Sequence, residues 1–232
     1  MNAEVMAVNA AELEQRSFIT KVYKWMGFGL LLTALAAYLA ASSESFVYLL
    51  TQNSILFYGL IIGELGLVIF LSARIQKMSA EAAAGSFIIY SILNGLTLSL
   101  ILLLYTGASI ASTFLSTALT FGAMSAYGYF TKRDLTTMGS YLYMALIGLI
   151  IASVVNMFWA NSTLYWIVSY VGILIFVGLT AYDTQKIKKI GATVNMDDEQ
   201  TTQKLAIMGA LALYLDFINL FLMLLRVAGD RR

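Results

Sequence analysis

The chain has 232 residues, of which 60% are hydrophobic and 12% charged, and its mean hydropathy is +0.80. Soluble domains are about half apolar and about a quarter charged, so this composition indicates a membrane protein. Fourteen basic and 13 acidic residues give a net charge of +1, which offers no electrostatic basis for binding nucleic acid.

The residue types that are missing exclude several chemistries. The chain contains no Cys, His or Pro. Disulfides, thiol catalysis, imidazole metal ligands and His-based catalytic triads are therefore excluded. Proton chemistry must use carboxylates, Lys or Tyr, and we expect neither a cofactor nor an enzymatic activity.

Seven continuous apolar runs of 17 to 24 residues predict an all-α fold of seven transmembrane helices, because ~20 apolar residues cross a bilayer core. Alternation typical of barrel strands is absent from these runs. The predicted spans are 25–41, 55–72, 82–105, 110–130, 141–160, 164–182 and 205–225. We expect a cytoplasmic N-terminal segment, 1–24, whose first 20 residues form a short helix or a frayed tail. A transmembrane domain, 25–226, and a short tail, 227–232, should follow, and the longest polar gap, 184–204, should be a loop.

The basic residues predict the orientation in the membrane, since Lys and Arg mark cytoplasmic loops. Eleven of them lie in the N-terminal segment and in every second gap between spans, and none lies in the three intervening gaps. This pattern predicts a multi-pass membrane protein with a cytoplasmic N-terminus. Seven crossings place Arg226, Arg231 and Arg232 outside, whereas a re-entrant last segment would return them inside. The last run has 21 residues, enough to cross, which favours crossing.

Only two charged residues, Glu64 and Asp216, fall within the predicted spans, and both lie near the middle of their helices. A charge at this depth costs about 2.5 to 3.5 kcal/mol unless it is paired, protonated or hydrated. Both residues are therefore candidates for function and suggest a polar cavity. The alternative is that Asp216 is a protonated structural acid bonded to Asn94 or Asn156.

Asp216 lies on one stripe of the seventh span together with Gly209, Ala212 and Asn219, because these residues are three or four positions apart. Leucines, among them Leu213 and Leu220, occupy another stripe. The small and polar stripe is expected to face other parts of the protein.

Two opposite charges lie just beyond the second and sixth spans, namely Arg74 and Asp183. Both spans run from outside to inside, so these residues should end at the same cytoplasmic depth, where an ion pair would close a pore. Alternatively, Arg74 is an ordinary cytoplasmic anchor and Asp183 is a helix-end acid that meets water.

Two stretches resemble the signature sequences of the Bax inhibitor 1 (TMBIM) family, especially its bacterial members. They are Ala181-Tyr182-Asp183-Thr184-Gln185-Lys186-Ile187 and Leu213-Tyr214-Leu215-Asp216-Phe217-Ile218-Asn219-Leu220-Phe221. The resemblance implies a seven-helix bundle with the last helix central, and a pH-sensitive Ca²⁺ leak. It also implies that Asp183 and Asp216 share a proton and bind Ca²⁺ transiently, that Arg74 helps to close the cytoplasmic side, and that Glu64 is a second acidic position.

The chemistry of a carboxyl pair suits that role. Ca²⁺ prefers about six to eight oxygen ligands, and two carboxylates supply at most four, so the ion would be held weakly enough to leave. Two close carboxylates cannot both ionise easily, and they titrate as a unit. Asp216 lies about 18 Å along its helix from the cytoplasmic end, whereas Asp183 follows its span. We therefore predict that the sixth helix continues past Tyr182, or that the seventh starts later or tilts.

Two other functions are alternatives. Some bacterial relatives are linked to the membrane-bound quality-control protease FtsH, so the protein would be a regulator that transports nothing. An intramembrane aspartyl protease would also use two carboxylates. Such proteases carry Gly-x-Gly-Asp at the second acid, whereas this chain has Leu213-Tyr214-Leu215-Asp216, which disfavours proteolysis.

Overall fold

The computed structural model describes residues 2–232, with side chains from Glu12 onward. Over this range the chain forms eight α-helices and one short 3₁₀ helix, Ile75–Lys77. The α-helices are α1 (Asn2–Ala41), α2 (Glu44–Gln52), α3 (Ser54–Arg74), α4 (Ala80–Leu104), α5 (Gly107–Phe130), α6 (Thr136–Trp159), α7 (Ser162–Gly191) and α8 (Glu199–Ala228).

Local sequence fixes several helix starts. Ser43, Asn53, Ser79 and Thr106 each accept a hydrogen bond from the backbone N–H three residues later, at the start of α2, α3, α4 and α5. Such side chains satisfy one of the N–H groups that a helix leaves unpaired at its start. Long helices follow because a chain in lipid must satisfy its own backbone hydrogen bonds.

Six helices in the described part of the chain are long and apolar enough to cross a membrane. They are α1 from Glu12, α3 with the turn after it, α4, α6, α7 and α8. Each of the seven predicted spans lies on one helix, ending at most one residue beyond it. The remaining span lies on α5, a helix that contains seven Ser and Thr residues, which lower its hydropathy. The structure therefore confirms an all-helical membrane protein, and the count of seven spans stays a prediction.

Three boundaries differ from the sequence-based expectation. First, α1 runs without a break from Asn2, so the N-terminal segment is neither a separate short helix nor a frayed tail over the described residues; Met1 lies outside them. Second, the nine-residue α2 was not predicted, because it is too short to cross a membrane. Third, the prediction that residues 184–204 form a loop is wrong, because α7 continues to Gly191 and α8 begins at Glu199. Apolar runs mark where a helix leaves the lipid, which differs from where the helix ends.

The chain divides into two compact units. The first comprises Met1–Tyr105, Ile190–Tyr214 and Arg232. In it α1 packs along α4, and the fully buried ring of Tyr214 meets the edges of Phe87 and Tyr90, with ring centroids 5.8 Å apart in both cases.

The second unit comprises Thr106–Lys189 and Leu215–Arg231. Its core is a cluster of buried apolar side chains from α6, α7 and α8, namely Leu149, Val168, Ile175, Phe176, Leu179, Leu220 and Met223. Residues 199–214 of α8 belong to the first unit and residues 215–228 to the second.

The last helix, α8, has the largest buried share of the six membrane-crossing candidates, 61% of its most apolar window. Asp216, on the small and polar stripe, is buried as expected, and Leu213 and Leu220 on the leucine stripe are completely buried as well. The helix α8 is therefore packed on several sides, and its sequence is apolar on most of them for that reason.

Candidate carboxyl-pair site

The second unit brings Asp183 and Asp216 together. Asp183 lies on α7, eight residues before its end, so the predicted continuation of the sixth span past Tyr182 is confirmed. Asp183 is 3% and Asp216 4% exposed, and their side chains lie close enough for a hydrogen bond between the two carboxyl groups. Because a carboxylate has no proton to donate, a bond between two carboxyl groups requires one of them to be protonated. The geometry therefore suits a pair that holds one proton.

Tyr143 of α6 also contacts this pair. Its hydroxyl lies 3.3 Å from both Oδ1 and Oδ2 of Asp183 and donates to that carboxyl group. Its ring meets the ring of Tyr182 edge-on at 6.0 Å, and 39% of its surface is exposed. Sequence reasoning missed Tyr143, because it is one of 14 tyrosines and no charge or motif distinguishes it.

One buried oxygen of the pair accepts no hydrogen bond from a described donor group, namely Oδ2 of Asp216. A buried carboxyl oxygen of this kind is energetically costly, and a proton shared with Asp183 would lower that cost. The described residues contain no group of three or more acidic, His or Cys side chains that would hold a metal ion. Any cation bound at this pair would have few protein ligands.

The loop 131–135, between α5 and α6, is attached to α7 just beyond Asp183. The buried Gln185 accepts a hydrogen bond from the N–H of Leu135 at 2.9 Å and donates to the carbonyl oxygen of Arg133 at 2.8 Å. Lys189 binds Asp134 at 2.6 Å, and this hydrogen bond lowers the pKa of the exposed Asp134 carboxyl to about 2. These contacts hold the part of α7 that carries Asp183.

Two glycines let neighbouring helices approach α7 closely at the two residues before Asp183. A Cβ atom at Gly128 of α5 would collide with the backbone of Ala181, and one at Gly139 of α6 would collide with the ring of Tyr182. Both glycines are buried. Backbone contact of this kind is how small residues drive helix packing in membranes.

Glu64 belongs to a different cluster, in the first unit. Its carboxyl accepts hydrogen bonds from Thr97 and, at 3.4 Å, from Asn94 of α4. The hydroxyl of Tyr214 donates to the amide oxygen of Asn94 at 3.2 Å and lies 2.6 Å from that of Thr33. Glu64 is thus buried among neutral hydrogen-bond donors, which offset part of the cost of its burial.

Sequence comparison identifies the family. A sequence model described as "Inhibitor of apoptosis-promoting Bax1" matches residues 15–232. The chain belongs to the Bax inhibitor 1 family. It is 55% identical over 217 residues to the inner membrane protein YbhL of Escherichia coli (strain K12), covering 94% of this chain and 93% of that one. It is also 47% identical over 219 residues to the uncharacterized protein RP147 of Rickettsia prowazekii (strain Madrid E), covering 94% and 91%.

The other residues that the sequence analysis singled out make contacts away from the carboxyl pair. Arg74 is exposed at the end of α3, in the first unit, and its ion pair with Asp183 stays a prediction. Asn219 donates its amide to the carbonyl oxygen of Leu215 in its own helix, at 2.8 Å. Asn94 and Asn156, the alternative partners of Asp216, bond instead to Glu64 and to the backbone of Asn161.

Proposed function

We propose that this Bax inhibitor 1 family protein is a pH-sensitive Ca²⁺ leak channel of the bacterial inner membrane, gated by Asp183 and Asp216. The observation that supports this most is the buried carboxyl pair itself, which brings Asp183 of α7 and Asp216 of α8 together in the second unit. Buried ionisable groups within membrane helices generally mark ion or proton pathways. The name of the Escherichia coli relative supports the inner membrane as the location.

The proposed channel has seven spans, namely the six helices already described as able to cross the membrane and, in addition, α5. At 1.5 Å per residue its 24 residues are about 36 Å long, enough to cross. Its buried residues include Ser109, Thr113, Thr117 and Ser125, which are spaced by multiples of four and so lie on one side of the helix. A helix that turns its hydroxyl groups toward protein can cross a bilayer at a lower hydropathy than a lipid-surrounded one.

Protonation changes the charge of the proposed gate. In the proton-sharing state the pair carries one negative charge, and full protonation removes it, which weakens the attraction of Ca²⁺ and of Arg74 to the pair. The ion is held by few ligands, so it exchanges quickly, as conduction requires. In this proposal the protein binds Ca²⁺ and protons. It needs no cofactor and performs no catalysis.

The decisive experiment measures Ca²⁺ entry into liposomes that contain the purified protein and a Ca²⁺-sensitive dye, from about pH 5 to about pH 8. We expect pH-dependent flux that Asp183→Asn and Asp216→Asn alter strongly and Arg74→Ala makes less dependent on pH. Asp197→Asn, in the exposed connection between α7 and α8, is the matched control and should behave as wild type. Absence of flux, or flux unaffected by all three test variants, would contradict the proposal.

A second candidate function, regulation of a membrane protease complex such as FtsH, is favoured by the length of α1. Forty residues span about 60 Å, roughly twice the thickness of a bilayer core, so α1 offers a helical arm for a partner. If deletion of residues 1–20 abolishes co-purification with the protease while Asp183→Asn and Asp216→Asn preserve it, regulation is the function. If co-purification is lost only in the two carboxyl variants, the N-terminal part of α1 is not the surface that binds the protease.

A further inference from the structure

A groove on α1 combines two lysines with two aromatic rings. It is lined by Lys21, Lys24, Trp25 and Phe28 and has a volume of about 270 Å³. These residues occupy positions i, i+3, i+4 and i+7, so they share one side of the helix. The lysines precede the apolar run that begins at Trp25, so the groove lies where α1 enters the membrane.

The aromatic wall of the groove is anchored within the first unit. The ring of Trp25 meets Phe28 at 6.0 Å and Phe87 of α4 at 6.1 Å, both edge-on. Phe87 is completely buried, whereas Phe28 is 43% exposed. Trp25 is therefore held by the packing of α1 against α4, and Phe28 leaves an apolar surface open beside it.

The two lysines carry charge that no described side chain neutralises: from Glu12 onward, none forms an ion pair with Lys21 or Lys24. Lys24 is exposed and Lys21 is half-buried. Two ammonium groups at the membrane surface attract phosphate, and the aromatic surface next to them offers contact to a hydrocarbon chain. A soluble phosphate would use the first feature and leave the second unused.

We propose that this groove binds one anionic phospholipid, with its phosphate between Lys21 and Lys24 and an acyl chain along Trp25 and Phe28. Neutral phospholipids bind the same surface more weakly, because they bring no net charge to the lysines. The site is independent of the carboxyl pair and of the Ca²⁺ leak proposed for it.

Brominated lipids test this site directly, because bromine on an acyl chain quenches a tryptophan that it touches. The chain has three tryptophans, so Trp159→Phe with Trp166→Phe leaves Trp25 as the sole tryptophan, which is excited selectively at wavelengths that tyrosine does not absorb. The full-length double variant is placed in vesicles that contain either dibrominated phosphatidylglycerol or dibrominated phosphatidylcholine. We expect phosphatidylglycerol to compete for the groove with an advantage of about fivefold for each lysine, and added salt to reduce it.

Charge variants decide the assignment. In the single-tryptophan background, Lys21→Gln with Lys24→Gln should make quenching by the two lipids equal, whereas Lys24→Arg should keep the preference. Lys77→Gln, an exposed lysine outside the groove, is the control and should also keep it. Equal quenching before any lysine is changed, or a preference that survives in the double Gln variant, would overturn the proposal. Reversal of quenching by millimolar glycerol phosphate would assign the groove to a soluble phosphate instead.

Discussion

At the scale of single residues, Tyr143 is the side chain that links the carboxyl pair to an exposed helix surface. Its hydroxyl donates to Asp183, and such a bond favours the ionised carboxylate over the protonated form. Tyr143 therefore helps to set the pH at which the proposed gate responds, even though it carries no charge itself.

Replacing Tyr143 by Phe removes this donor with little change in shape. A hydrogen bond to a charged group contributes roughly 1.5 kcal/mol, so we expect the midpoint of Ca²⁺ flux against pH to move upward by about one pH unit. The measurement is the liposome assay over the full pH range. Tyr141→Phe, on the same helix and 65% exposed, should leave the midpoint in place. A midpoint that does not move in Tyr143→Phe would remove Tyr143 from the mechanism.

Asp134 is ionised throughout the pH range of the liposome assay, so it serves as a control for the carboxyl pair. Its pKa is lowered to about 2, chiefly by the hydrogen bond from Lys189. A lowered pKa means that the stabilising contact is complete above the ordinary carboxyl pKa of about 4 and is lost only as the pH falls toward 2. Asp134→Asn should therefore leave the flux midpoint between pH ~5 and pH ~8 unchanged. A shifted midpoint in Asp134→Asn would show that the loop 131–135 takes part in pH sensing.

At the scale of helices, close packing between α5 and α7 holds Asp183 in place. Gly128 lies against the backbone of Ala181, two residues before Asp183, and its Cβ position is already occupied. On the same helix, Gly122 has no atom within 4 Å of its Cβ position. Alanine substitutions at these two glycines therefore distinguish the effect of a disturbed close contact from the effect of helix propensity.

Gly128→Ala should destabilise the protein by about 1 to 3 kcal/mol, the usual range for overpacking, and lower its melting temperature by several degrees. Gly122→Ala should be neutral or stabilising by up to about 1 kcal/mol, because Ala favours helix. Thermal unfolding in detergent, followed by circular dichroism, measures both. Equal melting temperatures for the two variants would contradict the close contact between α5 and α7.

Sequence reasoning located every long helix but not all of their ends. Apolar runs report lipid contact, so they found the spans and missed the polar extension of α7 beyond Tyr182 and the short α2. A charge within an apolar run pointed to Asp216, a charge just beyond another run pointed to Asp183, and the family resemblance paired the two. Tyr143 and Gln185 could not be found in this way, because neutral polar side chains are common in membrane helices and only the packing of α6 and α7 makes these two important.

At the scale of the whole molecule, the arginines at the C-terminus have contacts that explain their position. The guanidinium of Arg226 lies 5.6 Å from the ring centroid of Tyr165, and Arg231 donates to the hydroxyl of Tyr165 at 3.0 Å. Tyr165 is near the start of α7, the end opposite to Lys188 and Lys189. These arginines are therefore held by protein contacts at the end of α8 that the basic loops predict to be outside, despite the preference of basic residues for the cytoplasm.

Labelling of single cysteines tests this orientation, and the chain is suited to it because it contains no native Cys. With seven spans and a cytoplasmic N-terminus, Asn161→Cys and Arg232→Cys should react with a membrane-impermeant maleimide added to intact spheroplasts. Arg133→Cys and Asp197→Cys should react only after the membrane is opened. Reaction of Arg133→Cys from outside would mean that α5 does not cross, because that residue follows α5 directly. Protection of Arg232→Cys until the membrane is opened would mean that α8 returns to the cytoplasmic side, and the contacts of Arg226 and Arg231 with Tyr165 would then have to form there.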